Sequence, residues 1–226
     1  MLRITDNGNS EYVIIIRKNH SASEKTAAEE LAVYLKKITD AEIPVKTDDE
    51  KKTDHEIVIG FTNRGGKGKK ELGEEGFTIK TEGKRLFILG SEVRGALYGV
   101  YSFLEKCCGC RFYTDTCERV PKVNMLTVPE IDCTELPGFE YRNVYWFAQG
   151  GEMISAKLKN NGGMGHELTE RVGGGINYIG SFCHTFPDLG ETGNVWDMPC
   201  LSDEAMYQTV LKNVRKRLIE NPLLKI

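Results

Sequence analysis

Four sets of residues in this chain have the types and spacing that chemistry uses. Cys107, Cys108, Cys110 and Cys117 lie within 11 residues. A structural zinc site uses paired Cys-x2-Cys groups or a Cys/His set on a loop, and no His is near. Cys107 and Cys108 fall at a helix end and Cys110 in a strand, as small packing residues do. No metal and no cofactor is expected. The second set, Gly60 to Lys67, follows an apolar strand as a phosphate loop does. A P-loop has Gly-Lys-Ser/Thr after four intervening residues. Here Gly66 stands in the lysine's place and no hydroxyl follows, so nucleotide binding is not expected. The third set is the carboxylates from Glu140 to Asp197. None closes an apolar strand, and helix capping accounts for Asp203 and Glu204, so no catalytic acid pair is readable. The fourth set is His184, Trp146 and Arg142. They are the candidates for binding substrate: His184 can hydrogen-bond a hydroxyl, Trp146 can stack on a sugar face and Arg142 can clamp a carboxylate. A His satisfied within its loop, a core Trp and a structural Arg ion pair are the competing explanations.

Bulk properties narrow the setting. The chain has 226 residues and a net charge of −3, so no nucleic-acid partner is expected. No run approaches the roughly 20 apolar residues of a membrane span. MLRITDNGNS contains no apolar signal region. With an odd count of 7 cysteines, a cytoplasmic, reducing location is expected.

The elements that position these residues read in two halves. Tyr12–Ile16 is an apolar strand. Ser21 and Glu24 have capping-box spacing and start a helix to about Thr39. Glu56–Gly60 is a second buried strand. Phe77–Thr81 and Arg85–Gly90 form a hairpin about Glu82-Gly83-Lys84. Ser91 is positioned to cap a helix that Gly109 ends, and Gly95 and Gly99 suggest close helix–sheet packing. Cys110–Tyr113 and Met125–Val128 are further strands. Residues 1–132 therefore read as an α+β domain, a mixed sheet with two helices on one face. Residues 129–138 carry two prolines and read as a linker. In the second half, Phe139–Phe147 reads as a strand, Ile154–Asn160 as a short helix and Ile176–Cys183 as a strand. A long loop follows from His184 to Pro199, then a helix over Asp203–Glu220 capped by Ser202. Leu223–Ile226 reads as the start of another strand. Residues 133–226 thus spell the first βα units of an incomplete (β/α)8 barrel. In such barrels the site is built at the strands' C-terminal ends, which places Trp146, Arg142 and His184 on that side.

Two stretches carry a resemblance. Arg94-Gly95, Tyr98-Gly99, Phe103-Leu104-Glu105 and then Gly109-Cys110-Arg111-Phe112-Tyr113 resemble the "R-G-x-x-Y-G-x-x-x-F-L-E" helix and "G-C-R-F/W-Y" strand of an N-terminal accessory domain. That domain occurs in glycoside hydrolases of the α-glucuronidase and β-hexosaminidase kind. LPGFEYRNVYW resembles the entry to their catalytic barrel, and the stretch from INYIGSFCHTF to MPCLSD resembles a less characterised bacterial branch. The resemblance implies carbohydrate metabolism, a carbohydrate substrate and a non-catalytic N-terminal domain. It implies catalytic carboxylates on later strands, beyond Ile226, which would leave residues 1–226 inactive. A non-catalytic carbohydrate-binding or interaction protein on the same fold is the alternative.

Overall fold

The computed structural model describes residues 1–66, 71–162, 167–176, 185–194 and 196–222. Met1–Gly175 and Ile176–Ile226 form separate compact units. The first contains β1 (Leu2–Asp6), β2 (Val13–Ile16), α1 (Ala22–Thr39), β3 (Val45–Thr47), β4 (Glu56–Ile59), β5 (Phe77–Glu82) and β6 (Arg85–Gly90). These are followed by α2 (Gly95–Lys106), β7 (Arg111–Phe112), β8 (Glu118–Arg119), β9 (Met125–Val128), β10 (Asp132–Glu135) and α3 (Glu152–Lys157).

The main sheet has the order β10-β5-β6-β4-β2-β3. β3, β2, β4 and β6 run parallel, while β5 and β10 are antiparallel to their neighbours. This is the mixed sheet expected. Strand alternation divides its side chains between two faces. Ile14, Ile57, Ile79, Leu86 and Ile88 share one core with α1 and α2. Val13, Ile15, Val58, Phe87 and Leu89 form a second cluster. Burying each such side chain is worth about 1.5–3 kcal/mol, so the sheet faces dominate stability.

The capping box of α1 forms as expected. Ser21 Oγ accepts the Glu24 amide at 3.1 Å, and Glu24 accepts the Ser21 amide at 2.8 Å. The start of α2 differs. Ser91 does not cap it, because its hydroxyl donates to the Glu74 carbonyl at 2.5 Å. That carbonyl also accepts the Arg94 and Gly95 amides, at 3.1 and 3.0 Å. A carbonyl from the preceding loop thus satisfies the helix's first donors. The expected linker holds β10, an edge strand paired with β5, and Thr78 and Thr134 meet across the pair at 2.8 Å. The prolines at 129 and 137 lie just outside it, where they remove no ladder donor. The phosphate-loop-like turn after β4 is filled from within. Arg64 Nε donates to the buried Glu56 carboxylate at 3.1 Å, and its other nitrogens donate to the Asp48 and Glu50 carbonyls.

After Glu135 no described residue lies in a strand. The strand expected at Phe139–Phe147 is replaced by backbone outside any sheet ladder, followed by a 3-10 turn at Phe147–Gln149. A strand requires a ladder partner, and here the peptide groups of Arg142 bond elsewhere. Its N–H donates to Asn161 Oδ1, and its carbonyl accepts from the Asn161 and Gly162 amides. Most of the expected strand at Ile176–Cys183 and all of Leu223–Ile226 lie outside the described residues. In the second unit, α4 (Thr185–Leu189) begins the stretch expected to be loop, and α5 (Glu204–Glu220) is capped by Asp203 and not by Ser202. Asp203 Oδ1 accepts the Ala205 amide at 2.8 Å. Asn213 Nδ2 bonds the Leu189 carbonyl and Arg217 pairs with Asp188, so α5 is tied to α4. None of the described helices is long and apolar enough to cross a membrane.

Candidate functional site

α2 has two working faces. Gly95, Gly99 and Phe103 turn toward the sheet, and a Cβ on Gly99 would come within 2.7 Å of Ile88 Cγ2. Arg94, Tyr98 and Glu105 fall on another stripe, since spacings of four and seven residues return to one side of a helix. Each of these three reaches into residues 159–174. Arg94 Nη1 donates to the Gly173 carbonyl at 2.9 Å, and Tyr98 Oη donates to the Asn160 carbonyl at 2.9 Å. Lys159 Nζ donates to Glu105 at 2.8 Å. Ile154, Ala156, Leu168 and Val172 complete the contact by joining the core of α1 and α2. The polar letters of the helix motif therefore grip the segment that follows the sheet domain, and its small letters grip the sheet.

Glu75, only 8% exposed at its side chain, is the centre of the polar grip. Its Oε1 accepts Arg94 Nε at 2.8 Å and Asn161 Nδ2 at 2.7 Å; its Oε2 accepts Arg142 Nη2 at 2.6 Å. Arg142 is filled on all three nitrogens, with Nε donating to the Lys159 carbonyl and Nη1 to the Phe139 carbonyl. Of the two explanations open for Arg142, the geometry matches the ion pair. Burial, followed by the Glu75 charge, pushes the Tyr98 phenol up and keeps it a neutral donor. Sequence reasoning passed over Glu75, Asn161 and the polar stripe of α2. The available signal was Arg94, Tyr98 and Glu105 recurring on a helix that is otherwise apolar.

Trp146 lies four residues beyond Arg142, and the residue is 56% exposed. The turn behind it is pinned by Gln149 Nε2 to the Tyr113 carbonyl at 2.7 Å and by the Asp115 amide to the Ala148 carbonyl at 3.3 Å. An exposed indole on a pinned turn can stack on a flat ligand face. His184 lies outside the described residues, so only Arg142 and Trp146 of the three candidates are placed. Beside α3, Asp115, Glu152, Lys157 and Arg171 line a cleft of about 330 Å³. Its two carboxylates are offset by two cations, and Glu152 is held by Thr169 Oγ1 at 3.0 Å. Among the described residues no group of His, Cys, Asp and Glu could hold a metal ion.

Glu118 anchors the same segment. Burial opposes its ionisation, but the Tyr34 hydroxyl at 2.5 Å, Lys37 at 2.9 Å and Lys157 at 3.3 Å outweigh burial and hold it at about 2. A carboxylate whose pKa is depressed on folding stabilises above its unfolded value, near 4.3, and loses that contribution as pH falls toward 2. Because the group is partly solvated, its share is about 1–2 kcal/mol. Urea denaturation of wild type and Glu118→Gln checks this. The stability gap between them is expected at pH 7 and should vanish near pH 2; a gap independent of pH would refute the assignment.

Residues 4–103 match the model of the Glycosyl hydrolase family 67 N-terminus. No curated protein matches. Among solved structures, a novel family GH115 4-O-methyl-alpha-glucuronidase with specificity for decorated arabinogalactans is similar over 96% of this chain and 35% of its own, at 14% identity and a TM-score of 0.53. A mutant Streptomyces plicatus beta-hexosaminidase in complex with GlcNAc matches over 62% of this chain and 24% of its own, at 17% identity and a TM-score of 0.39. The GH20 beta-N-acetylhexosaminidase from Streptomyces coelicolor matches over the same shares at 17% identity and 0.42. The chain spans about a quarter to a third of these structures. Residues 4–103 form a domain of the kind found at the N-terminus of glycoside hydrolases.

Proposed function

We propose that this chain is the N-terminal portion of an enzyme that hydrolyses glycosidic bonds. Its accessory domain is the mixed sheet with α1 and α2, β10 included, and a (β/α)8 barrel follows it. The observation that carries this reading is the polar stripe of α2. Arg94, Tyr98 and Glu105 hold Gly173, Asn160 and Lys159, and Glu75 joins Arg94 to Arg142, an arrangement built to position a neighbouring segment. The family match over residues 4–103 supports it. The catalytic carboxylates then belong to barrel strands after Ile226. Trp146 and His184 are the proposed sugar-side residues, and Arg142 places the segment that bears Trp146.

The test is hydrolysis of aryl glycosides, uronides and N-acetylhexosaminides included, by purified residues 1–226 and by a longer protein carrying the completed barrel. Turnover is expected only from the longer protein. Normal turnover by residues 1–226 would overturn the placement of the acids. The exposed Trp146 also favours a second reading, a carbohydrate-binding protein without catalysis. Calorimetric binding of uronic acids or amino sugars by the longer protein, with no hydrolysis, would establish that reading.

A further inference from the structure

We propose that Cys107 and Cys133 form a reversible disulfide under oxidising conditions, fastening the edge strand β10 to the C-terminal end of α2. Both thiols are free and half-buried, whereas Cys108 and Cys110 are buried and Cys117 and Cys200 are exposed. Alternation along β10 puts Cys133 on the same face as Glu135, two residues on. That face is the helix side, because Cys133 stands opposite Ile79, which packs in the core of α1 and α2. Glu135 reaches α2 itself, accepting Lys106 Nζ at 2.7 Å. Cys107 is the next residue after Lys106 and caps the helix. The ion pair shows that the two short backbone stretches that carry the thiols are neighbours. Burial is the main cause raising the Cys107 thiol; the Lys106 ammonium opposes it, and a smaller contribution from Cys133 adds to it.

The step balances with a low-molecular-weight disulfide such as oxidised glutathione. The Cys133 thiolate attacks one glutathione sulfur, forming a mixed disulfide and releasing one glutathione thiolate. Cys107 loses its proton to solvent and attacks the Cys133 sulfur, releasing the second glutathione. Two protein thiols are oxidised and one glutathione disulfide is reduced. The half-buried Cys107 suits the second, intramolecular attack, since its raised pKa leaves it little thiolate for the first. The bond would tie strand β10, which leads into the Arg142 segment, to the helix that grips that segment.

The experiment treats the whole 226-residue chain with oxidised glutathione, caps remaining thiols and maps tryptic peptides. A covalent pair joining residues 107–111 to residues 123–142 is expected in wild type. It should disappear in both Cys107→Ser and Cys133→Ser and on reduction with dithiothreitol. Circular dichroism of each serine variant confirms that it folds. Persistence of the linked pair in Cys107→Ser would assign the bond to Cys108 or Cys110 and overturn the proposal. Capture of both thiols only as glutathione adducts, or as unreacted thiols, would overturn it equally.

Discussion

Gly95→Ala is expected to destabilise the N-terminal unit by about 2–3 kcal/mol, although alanine is the better helix former by about 1 kcal/mol. A Cβ on Gly95 would lie 2.4 Å from the Gly76 carbonyl oxygen and 3.2 Å from Gly90 Cα. The reverse contact is as tight, since a Cβ on Gly90 would lie 2.2 Å from the Gly95 carbonyl carbon. These are backbone atoms of β6 and of the residue before β5, and no rotamer change can move them aside. Relief requires α2 to lift from the sheet, which also loosens Phe103 and Leu104 in the core. Overpacking therefore outweighs propensity. Gly99→Ala meets the Ile88 and Phe77 side chains instead, so a smaller loss is expected. Urea midpoints of the two variants check the ranking. A Gly95→Ala protein as stable as wild type would mean that α2 does not approach the sheet this closely.

Glu75→Ala is expected to cost about 3–5 kcal/mol, the range for removing one partner from a buried charge network. The substitution leaves Arg94, 5% exposed at its side chain, and Arg142, at 20%, without their shared carboxylate. It also removes one acceptor of Asn161 Nδ2 and leaves the Glu140 carbonyl. Glu75→Gln keeps the shape but not the charge and is expected to fall between Ala and wild type. Because the network is shielded from solvent, the loss should change little between 0.05 and 0.5 M salt, where an exposed pair would be screened. Faster tryptic cleavage after Arg142 in native buffer is the local counterpart. A loss below about 1 kcal/mol, or one that disappears in high salt, would mean that the segment after residue 139 is not held by Glu75.

These two positions show where sequence reading succeeds and where it stops. The close glycine packing of α2 was legible because glycines four apart on an apolar helix have few other uses. The capping box at Ser21 and Glu24 was legible because all its donors and acceptors lie within one turn. The start of α2 was not, because the acceptor for its first amides is the carbonyl of Glu74, set by the hairpin's return and not by local spacing. β10 was hidden for a similar reason. Asp132–Glu135 has little strand character alone and becomes a strand only by pairing with β5.

By itself the amino-acid sequence determined the mixed α+β domain, its two helices and the glycoside hydrolase-like motif. Those features rest on periodicity and short-range chemistry, which are written in consecutive residues. Only the tertiary structure decided what the motif does. Arg94, Tyr98 and Glu105 look like three separate polar letters until folding brings Lys159, Asn160, Gly173 and Gly174 against them. Arg142 could be a ligand clamp or an ion pair until Glu75, distant in sequence, fills it. A buried charge is defined by its partners, and partners brought from far along the chain are chosen by packing.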